Sequence, residues 1–164
     1  MKNYIVFGVM LSLLVASAAS ATTVTRILDG DTLDIREDSS LIRVRLADID
    51  APEKNQPFGQ RSKQMLTELV RNAQDIRIQA TGEDRYGRTL ANVYVKKCQP
   101  QCLAYQVNEE LIKNGMAWAY RYHGHATNSA MEQLEMRARE EKRGLWSVPG
   151  AIEPWRHRAQ EKLR

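Results

Sequence analysis

Apolar and polar residues alternate along much of this chain. Residues 22–28 and Thr32 to Arg36 read as two strands joined at Asp29-Gly30, and a polar turn from Glu37 to Ser40 leads into Leu41 to Ile49. There Ile42, Val44 and Leu46 alternate with Arg43 and Arg45, the period-two pattern of a half-buried strand. Pro52 and Pro57 bracket a loop, and Gly59 to Asn72 carries Met65, Leu66, Leu69 and Val70 at helical spacing. Alternation returns in Asp75 to Thr81 and Leu90 to Lys97, with a turn from Glu83 to Thr89 between them. Ala104 to Asn114, stopped by Gly115, and Asn128 to Lys142, ended by Gly144, predict two more helices. Five strands and three helices give an α+β domain built on a small barrel. Five short strands with a helix after the third suit the OB-type barrel, whose face and loops hold nucleic acids.

The first residues change the picture of where the chain works. Lys2, the apolar run from Ile5 to Ala16 and the small residues Ala19-Ser20-Ala21 form a signal-peptide pattern over residues 1–21, with cleavage expected before Thr22. The apolar run is too short to span a bilayer comfortably, so no stable membrane association is expected after cleavage. Export follows, to the periplasm or the medium. The remaining residues suffice for one domain, expected over 22–150, with a basic tail over 151–164. The formal net charge is +4 for the whole chain, a modest excess that suits a polyanionic partner. Cys98 and Cys102 are the only cysteines, and in an exported protein they are expected to form a disulfide. A metal site shared with His123 and His125 is the competing reading, disfavoured by the spacing.

Three short segments carry the chemistry. They are Asp29-Gly30-Asp31-Thr32, the run from Arg45 through Asp50-Ala51-Pro52-Glu53, and Asp84-Arg85-Tyr86-Gly87-Arg88. Asp31 and Asp50 come to the same end if their strands form a hairpin about Asp38 and Ser39, and two carboxylates there are hard-cation ligands. Arg45 and Asp50 are five residues apart, so they converge only if the chain leaves strand geometry near Ala47 or Asp48. The guanidiniums of the last segment suit phosphate, because the planar fork donates two bonds at once and stays charged. Taken singly, each segment is also an ordinary turn, strand arginine or charged loop.

In combination they resemble the staphylococcal nuclease family. The resemblance runs through Ile-Leu-Asp-Gly-Asp-Thr, Arg-Leu-Ala-Asp-Ile-Asp-Ala-Pro-Glu and Asp-Arg-Tyr-Gly-Arg-Thr-Leu, then Val107 to Ile112, Gly115 to Ala117 and Arg143 to Trp146. It implies a five-stranded OB-type β-barrel with three helices and calcium-dependent cleavage of DNA and RNA, leaving 3′-phosphates. It implies catalytic roles for Arg45, Glu53 and Arg88, and calcium ligation by Asp31, Asp50 and the Ala51 carbonyl. Alanine at 51 replaces the family prototype's threonine, which leaves a main-chain ligand intact. The loop from Glu53 to Gly59 is shorter than the prototype's.

Around that site, Arg85, Tyr86, Tyr120 and Tyr122 are expected to bind substrate, the rings stacking on bases of a single strand without sequence preference. For Tyr120, packing under the third helix is an equal alternative. Lys54 is a phosphate contact or a solvated lysine. Trp118, Trp146 and Trp155 are expected in the core or its cover, and His123 and His125 receive no catalytic role. The tail is expected to fray, with an extra helix meeting nucleic acid as the alternative. The protein is expected to be a monomer. Two non-cutting readings compete with the nuclease: an OB-type nucleic-acid-binding barrel and a calcium-stabilised interaction domain.

Overall fold

The computed structural model describes residues 22–163, so the signal-peptide expectation lies outside the described residues. Strands β1 (Thr23–Ile27), β2 (Thr32–Glu37) and β3 (Ser40–Leu46) form an antiparallel meander, turned between β2 and β3 at Asp38 in a left-handed conformation. After the two-residue strand β4 (Ile49–Asp50) comes helix α1 (Gly59–Val70), and then the hairpin of β5 (Asp75–Glu83) and β6 (Thr89–Cys98). The first three residues of β6 run parallel to Val44–Leu46 of β3, which the α1 crossover makes possible.

Strand β7 (Cys102–Gln106) pairs with the far half of β6, and the Cys98–Cys102 disulfide bridges the two residues that face each other where that hairpin closes. Helix α2 (Val107–Lys113), the short ladders β4–β8 (Trp118–Ala119) and β9 (Arg121–Tyr122)–β10 (His125–Ala126), and helix α3 (Ser129–Glu140) follow. A 3₁₀ turn over Gly144–Ser147 leads to a final helix, α4 (Pro154–Glu161).

The mixed α+β class is as the pattern predicts, but three particulars differ. Among the described residues no ladder joins β1 to β5, so the sheet is a branched, six-stranded open one rather than a closed five-stranded barrel. Residues 104–106, expected in a helix, belong to β7, because the disulfide-closed hairpin holds them to β6 until Val107. Among the described residues the α-helices number four, since the tail does not fray: Pro154 is buried at the first turn of α4.

The core explains why the site is rigid. Leu33, Ile35, Val44, Leu46, Ala91, Val93 and Val95 project from β2, β3 and β6 against Leu66 and Val70 of α1 and Leu111 and Ile112 of α2, all buried. Each large aliphatic side chain removed from water contributes roughly 1.5–3 kcal/mol. One polar side chain ties this core together. Fully buried Asn108 accepts from the Val93 amide at 3.1 Å and donates to the carbonyls of Ala47 at 3.0 Å and Ala91 at 3.1 Å. It thereby pins the end of β3 to β6 and α2. Asn108→Ala is expected to cost on the order of 3 kcal/mol, because it strands buried backbone groups; urea denaturation with an unchanged slope would show it.

Candidate active site

The turn after β3 builds the site. Asp48 takes a left-handed conformation (φ 59°), which breaks strand alternation where convergence of Arg45 with Asp50 requires it. The reversed chain lets Arg45 Nη1 donate to the carbonyls of both Leu46 and Ile49 at 2.8 Å. Its Nη2 then meets Asp50 Oδ1 at 3.0 Å and Asp31 Oδ2 at 3.5 Å. Asp48 is itself fixed. Its carboxylate accepts from Thr127 Oγ1 at 2.9 Å and Asn128 Nδ2 at 3.0 Å, and its carbonyl accepts the Tyr120 amide. Asn128 in turn caps α3 through the Ala130 and Met131 amides.

Asp31 is delivered by the other turn. Its amide donates to Asp29 Oδ1 at 3.0 Å, while Asp31 Oδ2 accepts the Ala51 amide at 2.7 Å and Oδ1 accepts Thr32 Oγ1 at 3.1 Å. Gly30 makes this approach possible through its size. A Cβ there would lie 2.2 Å from Ser62 Oγ of α1 and 2.7 Å from the Ala51 Cβ.

Asp84 organises the third segment as an Asx turn. Its Oδ1 accepts the Tyr86 amide at 2.9 Å and the Arg88 amide at 3.0 Å, and its Oδ2 holds Arg88 Nε at 2.6 Å. Burial pushes the Asp84 carboxyl up, but these bonds outweigh it and hold the group below the usual carboxylate range. Arg88 Nη1 reaches Thr32 Oγ1 at 3.5 Å. The exposed Tyr86 ring lies beneath both guanidiniums of its turn, 4.8 Å from Arg85 and 5.5 Å from Arg88.

Glu53 begins the loop that sequence reading found short, two successive turns in which Gln56 and Gly59 donate their amides to Glu53 and Gln56 carbonyls. The residue that sequence reading missed is Arg158 of α4. It bonds both oxygens of Asp50, Nη2 to Oδ2 at 2.8 Å and Nη1 to Oδ1 at 3.2 Å, and its Nη1 lies 2.6 Å from Glu53 Oε1. The signal was available: a cation four residues after Pro154, in a segment rich in basic residues.

These contacts line a cleft of about 870 Å³. Six carboxylates (Asp29, Asp31, Asp48, Asp50, Glu53, Asp84) and five cations (Arg45, Arg85, Arg88, Arg158, Lys162) border it. Asp31 and Asp50 are buried, at 6% and 1% exposure. Burial, more than the neighbouring Asp31 charge, pushes the Asp50 carboxyl up despite bonds from Arg158 and Arg45. Asp29 is pushed up to about 6, first by burial and then by Asp31. Burial pulls the Arg45 guanidinium down, but Asp31 and Asp50 together hold it above its ordinary value.

Of the residues singled out in sequence, Ala51, Arg85, Tyr86 and Tyr120 also line this cleft. Tyr122 and Lys54 do not; Tyr122 is exposed and stands edge-on to His123 at 4.2 Å. Trp118 is core, packed edge-to-face on Trp146 at 5.2 Å, whereas Trp155 lines the cleft.

The donors near Asp31 and Asp50 are all oxygens, and no cysteine or histidine borders the cleft, which fits a hard divalent cation. That Arg45 Nη2 contacts both carboxylates shows that one positive charge can reach the two together. Among the described residues no three His, Cys, Asp or Glu side chains form a ready-made cage, so an ion held there would need backbone oxygen and water to complete its shell.

Residues 43–148 match the family model described as staphylococcal nuclease homologue. A micrococcal nuclease of Shigella flexneri is 47% identical over 141 residues, covering 85% of this chain and 80% of the relative. The protein ParB of Escherichia coli is 45% identical over 161 residues, covering 93% and 88%. An uncharacterized endonuclease of Haemophilus influenzae is 43% identical over 141 residues, covering 85% and 74%. Gly30→Ala is expected to destabilise the protein by about 1–3 kcal/mol through overpacking between Ala51 and Ser62; thermal unfolding measures it.

Proposed function

The chain belongs to the staphylococcal nuclease family and is a nuclease, and we propose that it cuts DNA and RNA phosphodiester bonds with calcium at the Asp31–Asp50 end of the cleft. The observation that supports this reading is an unbroken run of contacts. It passes from Glu53 through Arg158, Asp50, Arg45, Asp31 and Thr32 to Arg88. Base, oxygen donors and guanidiniums thus border one cleft open to a phosphate.

In this reading Asp31, Asp50 and the Ala51 carbonyl hold the ion, which when bound supplies Lewis-acid neutralisation of phosphate charge. Glu53 is the general base: Arg158 holds its Oε1, and its Oε2, without a hydrogen-bond partner among the described residues, takes the proton of the attacking water. Arg45 and Arg88 bind the non-bridging oxygens and stabilise the charge that grows on them as the new P–O bond forms. Arg45 is anchored by two carbonyls and Arg88 by Asp84, so neither must be ordered during the reaction. The bond to the 5′-oxygen breaks, leaving 3′-phosphates.

Tyr86, Arg85 and Tyr120 flank the strand, and stacking on flat rings favours single-stranded substrate of any sequence. Tyr122 would act only on a strand that extends beyond the cleft. The protein is read as an exported monomer, delivered to the periplasm or the medium, with the signal pattern and the disulfide as support. Among the described residues no helix is long and apolar enough to cross a membrane.

Denatured DNA incubated with the protein is expected to be cut in calcium and spared in chelator; equal cutting in both would remove the calcium requirement. Glu53→Gln and Arg88→Ala are each expected to lower turnover at least about tenfold, a loss of roughly 1.4 kcal/mol in transition-state stabilisation. Mass spectrometry of the exported protein is expected to find Thr22 as its first residue.

A further inference from the structure

Helix α4 begins after residue 148, where the family-model match ends, so the match gives it no role. Three of its residues, Trp155, Arg158 and Ala159, and Lys162 at its C-cap nevertheless border the cleft. Their spacing is i, i+3, i+4 and i+7, one continuous face of a helix. That face carries an aromatic ring, two cations and no acid.

Two other polar groups of the helix hold that face inward. Glu161, its one acid, pairs with Asn55 Nδ2, and His157 Nε2 lies 3.2 Å from Asn55 Oδ1. The chain leading to the helix is fixed by Gln56 Nε2, which donates to the Ile152 carbonyl. Arg158 completes the docking on Asp50 and Glu53, where burial pulls its guanidinium down but the two carboxylates raise it well above its ordinary value. The Trp155 ring is half-buried, with the Arg121 guanidinium 5.8 Å from its centre.

Charge shows what the face contributes. Six carboxylates border the cleft, and without α4 only three cations would oppose them. A polyanion entering such a cleft would meet a strongly repulsive field. With Arg158 and Lys162 in place the cations number five. We propose that the Trp155–Arg158–Ala159–Lys162 face of α4 is a binding wall for the nucleic-acid strand, anchored by Arg158, with Lys162 taking a backbone phosphate and Trp155 stacking on a base. This deepens the nuclease reading and rests on it.

The test uses full-length Glu53→Gln protein with a fluorescent oligothymidylate in chelator, where cutting is expected to stop, over a range of salt. Adding Lys162→Gln, at an exposed position, is expected to weaken binding several-fold and to lower the slope of log affinity against log salt by about 0.7, one phosphate's worth for a single strand. Adding Trp155→Ala is expected to weaken binding about fivefold or more. Circular dichroism controls for folding of each variant. If the parent binds the strand and both variants bind as tightly as it does, the wall is disproved while the nuclease reading stands. Tighter binding by the variants would make α4 a barrier over the carboxylates and also overturn the proposal. No binding by the parent at any salt would overturn the wall, and cleavage in calcium would still decide the nuclease reading.

Discussion

Burying Asp50 beside Asp31 is the constraint to which the rest of the cleft is fitted. Two carboxylates taken out of water are each costly by several kcal/mol, and their mutual repulsion adds to that cost. Cations supplied by the chain itself offset it. Arg45 comes from the same strand and turn, and Arg158 comes from 108 residues along. Neither guanidinium is a surface ornament: Arg45 is only 12% exposed, and its donors go to carbonyls as well as carboxylates. A pair of this kind contributes little net stability but fixes geometry, because breaking it leaves a charge buried alone.

That geometry depends on small backbone decisions. Asp48 leaves the strand at a positive φ, and its carboxylate then ties the turn to the start of α3 through Thr127 and Asn128. Glu135, on the same helix and buried, holds the Ala119 amide at 2.7 Å and Arg121 at 3.0 Å, which fixes the strand on either side of Tyr120. The cleft is therefore assembled from turns, yet its residues are positioned by the sheet and by two helices behind it. A site on loops gains the accuracy of a rigid element when each loop end is bonded in this way.

Much of this was legible in sequence because the site lies at strand ends, and alternation locates strand ends well. The hairpin about Asp38 and the break near Asp48 followed from counting residues between Asp31, Arg45 and Asp50. Other features leave no periodic trace. An open, branched sheet and a closed barrel share the same strands, and pairing alone separates them: among the described residues no ladder joins β1 to β5, and β7 branches from β6. Residues 104–106 carry Tyr105 at a spacing compatible with the helix that follows, but a hairpin closed by a disulfide keeps them extended. The tail was misjudged for a further reason: α4 is short and polar, and it is held by bonds to Asp50, Glu53 and Asn55, partners that pattern along the helix does not reveal.

Charge balance joins these features into one device. Among the described residues six carboxylates face five cations, so the cleft retains a slight negative excess. On the calcium reading, two added positive charges reverse the sign of the cleft, so cation and polyanionic strand each favour the other's binding. Such coupling is reciprocal by thermodynamic necessity. A cleft built with more arginines would depend less on a metal to hold nucleic acid, and a cleft lacking α4 would remain negative even with one. On that reading the cation count contributed by α4 would set how strongly substrate binding depends on the ion, and a segment beyond the matched family region would adjust chemistry performed by residues within it.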